Sequence, residues 1–138
     1  MKLTAEEVQQ IIRTGVPAAE DKDLRILEIG QNSAIAMYPF NSQMIGPGGT
    51  LSGPTIMGLA DAAMYAAILG RYGAEEMAVT SQMTINFLRK PAARDLRAES
   101  VILKAGKRSV FLEVRLFSEG ETELVALVTG SYALPAPK

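Results

Sequence analysis

Between Glu28 and Arg71 the chain carries one side chain that is ionised at neutral pH, the carboxylate of Asp61. The stretch around it, SGPTIMGLADAAMYAAILG at residues 52 to 70, is otherwise uncharged and strongly apolar. It reads as a helix with a defined start. Ser52 can cap it, Pro54 suits a first-turn position whose N–H has no partner, and Gly70 offers a stop. Ile56, Met57, Leu59, Ala60, Ala63, Met64, Ala67 and Ile68 surround the axis, so such a helix is covered on most sides. A carboxylate there has to pair with a cation, accept good hydrogen bonds or take up a proton, and the neighbouring sequence supplies no cation. Asp61 is therefore the first candidate for function. The structural alternative is that it lies on a narrow exposed edge of the helix, or meets a distant Lys or Arg, and only stabilises the fold.

The rest of the composition narrows the chemistry. The chain has neither cysteine nor histidine. Disulfides, thiolate zinc sites, cysteine nucleophiles, Ser-His-Asp arrangements and histidine-dependent proton transfer are thereby excluded. Carboxylates, hydroxyls, amines and backbone dipoles remain, and Asp61 is the best placed base. At 138 residues, 48% hydrophobic and 21% charged, the sequence predicts one domain over 1–138 with a real core. A net charge of −1 gives no electrostatic case for nucleic acid or an anionic membrane as the main partner. The N-terminus MKLTAEEVQQ lacks an apolar signal core, and Gly, Pro and Asp interrupt the central run too often for a membrane span, so the chain reads as cytoplasmic.

In chain order, Thr4 followed by Glu7 is a capping box, and Val8, Ile11 and Ile12 share one face, which predicts a short amphipathic helix over 4–14. Gly15, Pro17 and the AAEDKD run read as a loop. Leu24 to Glu28 and Ser33 to Phe40 read as a hairpin turning at Gly30, Gln31 and Asn32, with Ala34, Ala36 and Tyr38 on one face. Asn41 to Gly49 is a polar, glycine-rich loop delivering the chain to the central helix, whose free N–H groups make a natural oxyanion or phosphate site. The segment GPGGTLSG has neither the GK[ST] ending of a P-loop nor the spacing of a dinucleotide fingerprint.

Beyond the helix, RYGAEE reads as a turn, and four strands follow, at 78–89, 95–104, 109–117 and 122–134, with a frayed tail PAPK. In the first of them, strict alternation puts Val79, Ser81, Met83, Ile85 and Phe87 on one face. Thr80, Gln82, Thr84 and Asn86 take the other, so Thr80 reaches Asp61 only at an edge or from another subunit. The order of elements fits an α+β fold, a curved antiparallel sheet wrapped around one long central helix. A sheet with one covered face and much exposed edge also predicts self-association.

GTLSGPTIMGLAD at 49–61, VTSQMTINFLRKPA at 79–92 and LKAGKRSVFLEV at 103–114 together resemble the hotdog-fold acyl-CoA thioesterases, specifically the group related to the phenylacetate-pathway thioesterase. The resemblance implies that Asp61 is the catalytic carboxylate, as general base or nucleophile, and that the Gly53 backbone N–H polarises the thioester carbonyl. It implies a water-orienting role for Thr80 and coenzyme A contacts for Phe87, Arg89, Lys104 and Lys107. It also implies a site at a dimer interface, a homodimer or homotetramer, and no metal or redox cofactor, coenzyme A entering as part of the substrate. The chain departs from the family pattern at three places. Ser52 stands where a histidine is frequent, as a hydrogen-bond donor in its stead or merely a cap. Pro54 replaces a glycine, and Gly46 falls where some relatives carry a catalytic Asn, for which Asn41 or Gln43 could substitute. Met57, Met64, Tyr65 and Ile68 either line an acyl pocket or fill core. The expected function is acyl-CoA thioester hydrolysis; the alternatives are a catalytically silent acyl-CoA or lipid-like ligand-binding module and a purely structural assembly domain.

Overall fold

The computed structural model describes residues 3–46, 49–74 and 78–135. The first helix, α1 (Ala5–Gly15), begins at the expected capping box: Glu7 N–H donates to Thr4 Oγ1 at 3.1 Å, and Thr4 N–H donates to Glu7 Oε1 at 2.9 Å. Its buried face carries Val8 and Ile12. The following stretch is not a loop throughout. Pro17 starts a second, short helix, α2 (Pro17–Asp21), because its fixed φ suits a first helical turn and its missing N–H is no loss there. Five residues are too few to carry a periodic apolar signal.

Arg13 ties this elbow together. Its guanidinium donates to Glu20 at 2.7 Å and to Asp23 at 2.6 Å, while Arg25 donates to Asp23 from the other side at 2.7 Å. Asp23 itself sits at φ 55, a left-handed conformation that Asp tolerates better than most residues. The chain then enters β1 (Arg25–Ile29) and β2 (Ser33–Tyr38), the expected hairpin, with Ala34, Ala36 and Tyr38 turned inward. Gln9 reaches from α1 to accept the Ile26 N–H at 2.9 Å, which fixes α1 beside the β1 edge.

The central helix is α3 (Gly53–Tyr72), with Ser52 as its N-cap accepting the Thr55 N–H at 3.3 Å. Gly70 does not stop it. Gly70 is needed for close approach, since a Cβ there would lie 2.5 Å from Ile29 Cγ2. The helix runs on through Arg71 and Tyr72 and stops at Gly73, whose φ of 82 is the conformation that favours glycine. Glu75 and Glu76 of the expected turn lie outside the described residues.

Four longer strands follow, β3 (Val79–Phe87), β4 (Leu96–Ala105), β5 (Ser109–Ser118) and β6 (Ala126–Ala133). The last begins later than 122 because the polar Glu121–Glu123 segment continues the turn at Gly120, and pairing resumes only where Val125 N–H reaches Leu116 O at 2.7 Å. Of the PAPK tail only Pro135 is among the described residues. All strands are antiparallel, in the spatial order β1-β2-β4-β5-β6-β3.

The sheet curls around α3. Leu59, Met64, Ile68 and Leu69 from the helix and Leu96, Leu112, Val114 and Leu116 from the sheet are sealed from solvent, each worth about 1.5–3 kcal/mol of burial. Ser100 on β4, also buried, donates to Ala63 O at 2.7 Å and so sets where the helix lies along the sheet. Among the described residues no helix is long and apolar enough to cross a membrane.

Candidate active site

One side of α3 escapes the sheet. Residues 57, 61 and 65 fall along it at helical spacing, and Met57 is exposed while Asp61 and Tyr65 are half-buried. Met64 and Ile68 instead face the sheet and belong to the core. The Asp61 carboxylate is thus not enclosed in a fully apolar helix; it looks out from the helix's one open edge.

Its partners are hydroxyls. Tyr132, on β6, donates to Asp61 Oδ1 at 2.6 Å, and Thr80, on β3, donates to the same oxygen at 2.8 Å. Two donors on one oxygen leave Oδ2 for other work. The Tyr132 hydroxyl is itself held protonated: burial raises it furthest above the ordinary phenol value, and the neighbouring Asp61 charge adds to this.

Thr80 reaches Asp61 within the same chain, contrary to strict alternation. A β-bulge explains this. Thr80 pairs with Tyr132 and Gln82 with Ser131, so Ser81 is the extra residue. The extra residue flips the parity, and Thr80 shares the helix-facing side with Met83, Ile85 and Phe87. Ser81 occupies itself with Ser131, their hydroxyls 2.8 Å apart.

Asp61 opens onto a cavity of about 130 Å³ between α3 and the α1–α2 elbow. Ile12, Val16 and Ala19 form its apolar wall, and the rings of Tyr65 and Tyr132, stacked at 6.1 Å, form another side. Tyr38 closes it from β2, its hydroxyl facing Gly58 on the helix. Burial, with the Asp61 charge second, pushes the Tyr38 phenol up to about 12.

At the start of α3 a second, larger hollow of about 450 Å³ is bordered by Thr50, Gly53, Phe87 and Arg89. Gly53 lies beside the Phe87 ring, a Cβ there meeting it at 3.5 Å. As the first helical residue, Gly53 has no carbonyl one turn earlier to take its N–H. Ser52 is committed to capping, its hydroxyl lying 2.8 Å from Thr55 Oγ1 as well. Gly46 sits against it: a Cβ at 46 would be 3.2 Å from Ser52 Cβ. Asn41 caps the short turn Ser42–Met44, accepting the Gln43 N–H at 2.9 Å.

The four residues associated with coenzyme A do not gather in one chain. Phe87 and Arg89 border the larger hollow, with Arg89 paired to Glu123 at 2.8 Å and donating to Leu124 O at 3.1 Å. Lys104 and Lys107 lie at the β4–β5 turn, the end of the sheet where β3 begins rather than ends. Among the described residues no three acidic side chains gather closely enough to hold a metal ion. Reading the sequence alone misses Tyr132 and Tyr38 as site residues. The signal is there in part, since Tyr38 falls on the inward parity of β2, but an inward tyrosine gives no hint that its hydroxyl stands near a carboxylate.

Comparison with known proteins bears on the same region. The family model described as thioesterase superfamily matches residues 48–125, more than half of the chain, spanning α3 and the strands β3, β4 and β5. Among solved structures, a mutant of the phenylacetic acid degradation protein PaaI from Thermus thermophilus is 26% identical, with a TM-score of 0.76 over 86% of this chain and 99% of that one. Zebra fish thioesterase superfamily member 2 is 24% identical, with a TM-score of 0.83 over 96% and 99%. The PaaI protein of E. coli is 20% identical, with a TM-score of 0.79 over 97% of each. The last two likenesses bear on the fold alone. Among curated proteins none matches.

Proposed function

The chain belongs to the thioesterase superfamily, and from that premise we propose that it hydrolyses a small, medium or aromatic acyl-CoA thioester with Asp61 as general base or nucleophile. The observation that carries this reading is the setting of Asp61. Its carboxylate is aligned by two hydroxyl donors at 2.6 and 2.8 Å and faces an apolar cavity able to receive an acyl group. A carboxylate held on one oxygen presents the other to water or to a carbonyl carbon.

The oxyanion donor is the Gly53 N–H, aimed outward from the positive end of α3. Gly53 and Asp61 are eight residues apart on one helix, about 12 Å at 1.5 Å per residue. One thioester carbonyl cannot touch both in the same chain. Two copies running antiparallel bring Asp61 of one against Gly53 of the other, and the uncovered edge of β3 is the element that pairs them. The same arrangement carries Lys104 and Lys107 of one copy to the sheet end where the other has Phe87 and Arg89. Cations beside an aromatic ring suit phosphates and adenine, so the coenzyme A moiety follows that edge. The cytoplasm, where such thioesters are made and used, is the expected compartment.

A second reading is favoured by one specific observation. Gly46 and Ser52, two of the three positions that depart from the family pattern, lie against each other, and Ser52 is committed to its cap. A chain that binds acyl-CoA without turning it over would look like this.

Thiol release from short, long and aromatic acyl-CoAs separates the two. The absence of cysteine removes background from the thiol reagent. The expected result is turnover that falls roughly 100- to 10,000-fold in Asp61→Asn, the range attributed to a positioned proton-transfer group. Saturable binding without turnover would select the second reading, and equal turnover in both proteins would remove Asp61 from the mechanism. Hydrolysis in heavy-oxygen water divides base from nucleophile, because label recovered in Asp61 requires a covalent route.

A further inference from the structure

Strand β3 folds against its own pattern. The alternation of Val79, Ser81, Met83, Ile85 and Phe87 calls for an unbroken ladder with β6. Continued without a break from the Gln82–Ser131 pair, that ladder sets Ser81 opposite Tyr132 and Val79 opposite Leu134. The chain does otherwise: Thr80 stands opposite Tyr132, and Val79 opposite Ala133. Val79 is thereby left 59% exposed, while the smaller Ala78, 8% exposed, fills the inward place. A strand that gives up the burial of a valine to keep a bulge needs something to hold the bulge. Local rules broken in this way are a mark of functional sites.

Residues of β6 hold it. Ser131, only 6% exposed, has its hydroxyl 2.8 Å from that of Ser81, and Ser81 donates to Ser131 O at 3.2 Å. Both contacts are met together when Ser131 donates to Ser81 Oγ and Ser81 donates its own proton to the carbonyl. Gly130 leaves the space the bulge needs, since a Cβ there would lie 2.9 Å from Gln82 O and 2.9 Å from Met64 Sδ. Tyr132 donates to the same Asp61 oxygen that Thr80 reaches. Three consecutive residues of β6 thus make room for the bulge, fasten it, and share the carboxylate toward which it turns Thr80.

We propose that Ser131 is a positioning residue: by fastening Ser81 it holds β3 in the bulged register that presents Thr80, rather than Ser81, to Asp61. Ser131 alternates with the helix-facing Tyr132 and so lies on the far face of the sheet, acting on the carboxylate only through Thr80. Pairing from Gln82 onward is common to both registers, so a slip would invert only the start of the strand. The proposal rests on the thioesterase reading for turnover as a measure, and on the pairing alone for the register.

The test uses an isosteric pair at residue 81. Ser81→Thr keeps a hydroxyl for Ser131; Ser81→Val replaces it with a methyl group and completes the apolar alternation. Cross-strand nuclear Overhauser contacts read the register. Wild type and Ser81→Thr are expected to show residue 80 opposite Tyr132. Ser81→Val is expected to show residue 81 there, with new contacts between Val79 and Leu134. In kcat, Ser81→Thr is expected within about twofold of wild type, and Ser81→Val lower by roughly three- to tenfold, the range of one net hydrogen bond, with KM little changed. Thr80→Val is expected to carry that factor in wild type and to add nothing to Ser81→Val, where Thr80 has already turned away. Ser131→Ala removes the fastening from the other strand and is expected to exchange the dependence, with Thr80→Val silent in that background and Ser81→Ala costly. A Ser81→Val protein that keeps residue 80 opposite Tyr132, or in which Thr80→Val still has its full effect, overturns the proposal. If Ser81→Val does not fold, Ser131→Ala decides by the same two readouts. If wild type hydrolyses no thioester, the contacts decide alone: a register that moves upholds the assignment while the hydrolase reading fails, and a register that stays overturns the assignment as well.

Discussion

Removing the phenolic oxygen of Tyr132 while keeping its ring isolates what the 2.6 Å hydrogen bond does for Asp61. The carboxylate oxygen it holds also receives Thr80 at 2.8 Å, so each donor partly covers for the loss of the other. Hydrogen bonds to charged groups are worth about 1.5–3 kcal/mol, which as kcat is roughly one to two powers of ten if the bond matters most as the reaction proceeds. Tyr132→Phe is expected to lower kcat by that amount with KM little changed, Thr80→Ala by less, and the double variant by more than the product of the two. Steady-state kinetics on the four proteins checks this; strictly multiplicative effects would mean that the two hydroxyls do not act on one group. Asp61 is legible in the sequence because a lone carboxylate in a long uncharged stretch has few explanations. Tyr132 is not, because the pairing of β6 with the helix edge is a contact across 71 residues, which no local pattern encodes. Thr80 is legible as a residue and misplaced by face, since one bulged serine reverses the parity of a strand and nothing in the period-two pattern marks it.

At the level of elements, the α1–α2 elbow decides how the small cavity is walled, and its shape depends on charge. Arg13, Glu20, Asp23 and Arg25 form one cluster at the elbow. The Arg25 and Arg13 guanidinium groups hold the Asp23 carboxyl below its usual value, and Arg13 does the same for Glu20. A carboxyl whose pKa is depressed in the fold stabilises the fold above its unfolded value and loses that contribution as pH falls through the folded one. The elbow is therefore expected to be fully supported at neutral pH and to loosen below about pH 4, where unfolded Asp and Glu begin to take up protons. Hydrogen exchange across residues 5–24 would show it as a loss of protection on acidification, measured against the unstructured rate at the same pH and preceding loss of protection in the β4–β5 core; Arg13→Ala should show the same loss already at pH 7. Uniform exchange across the chain at every pH would contradict a locally charge-held elbow. Here the sequence is readable where an element signals its own end. The capping box of α1 and the Ser52 cap of α3 fall where the residues place them, whereas Gly70 is a spacer against Ile29 and the true stop, Gly73, lies three residues on. A glycine that gives clearance and a glycine that gives a positive φ are the same letter.

At the scale of the whole molecule, the order β1-β2-β4-β5-β6-β3 leaves β3 at an edge, and every residue of that strand is at least partly exposed. Only part of this is legible in the sequence: four strands after one helix imply a sheet around it, but the crossing that puts β3 beside β6 rather than β4 is set by which strand must reach the open side of the helix. That position matters, since β3 carries Thr80 at one end, next to Asp61, and Phe87 at the other, next to Gly53. An antiparallel pair of β3 strands centred on Met83 exchanges those ends, setting the carboxylate of one copy toward the helix start of the other. It also sets residue 82 of one copy opposite residue 84 of its mate. Like charges placed directly opposite on paired strands repel, and lysine on an edge strand is a common natural block to pairing. Gln82→Lys with Thr84→Lys is accordingly expected to leave the fold intact by circular dichroism, to shift the protein to monomer by light scattering, and to lower thiol release at least as far as Asp61→Asn does. High salt should restore part of both the mass and the turnover, because the Debye length shrinks from about 10 Å at 0.1 M to about 3 Å at 1 M. The two readouts have to move together. A monomer that keeps its turnover would mean that one chain holds the complete site, and a dimer that ignores the lysines would mean that the copies meet through another surface.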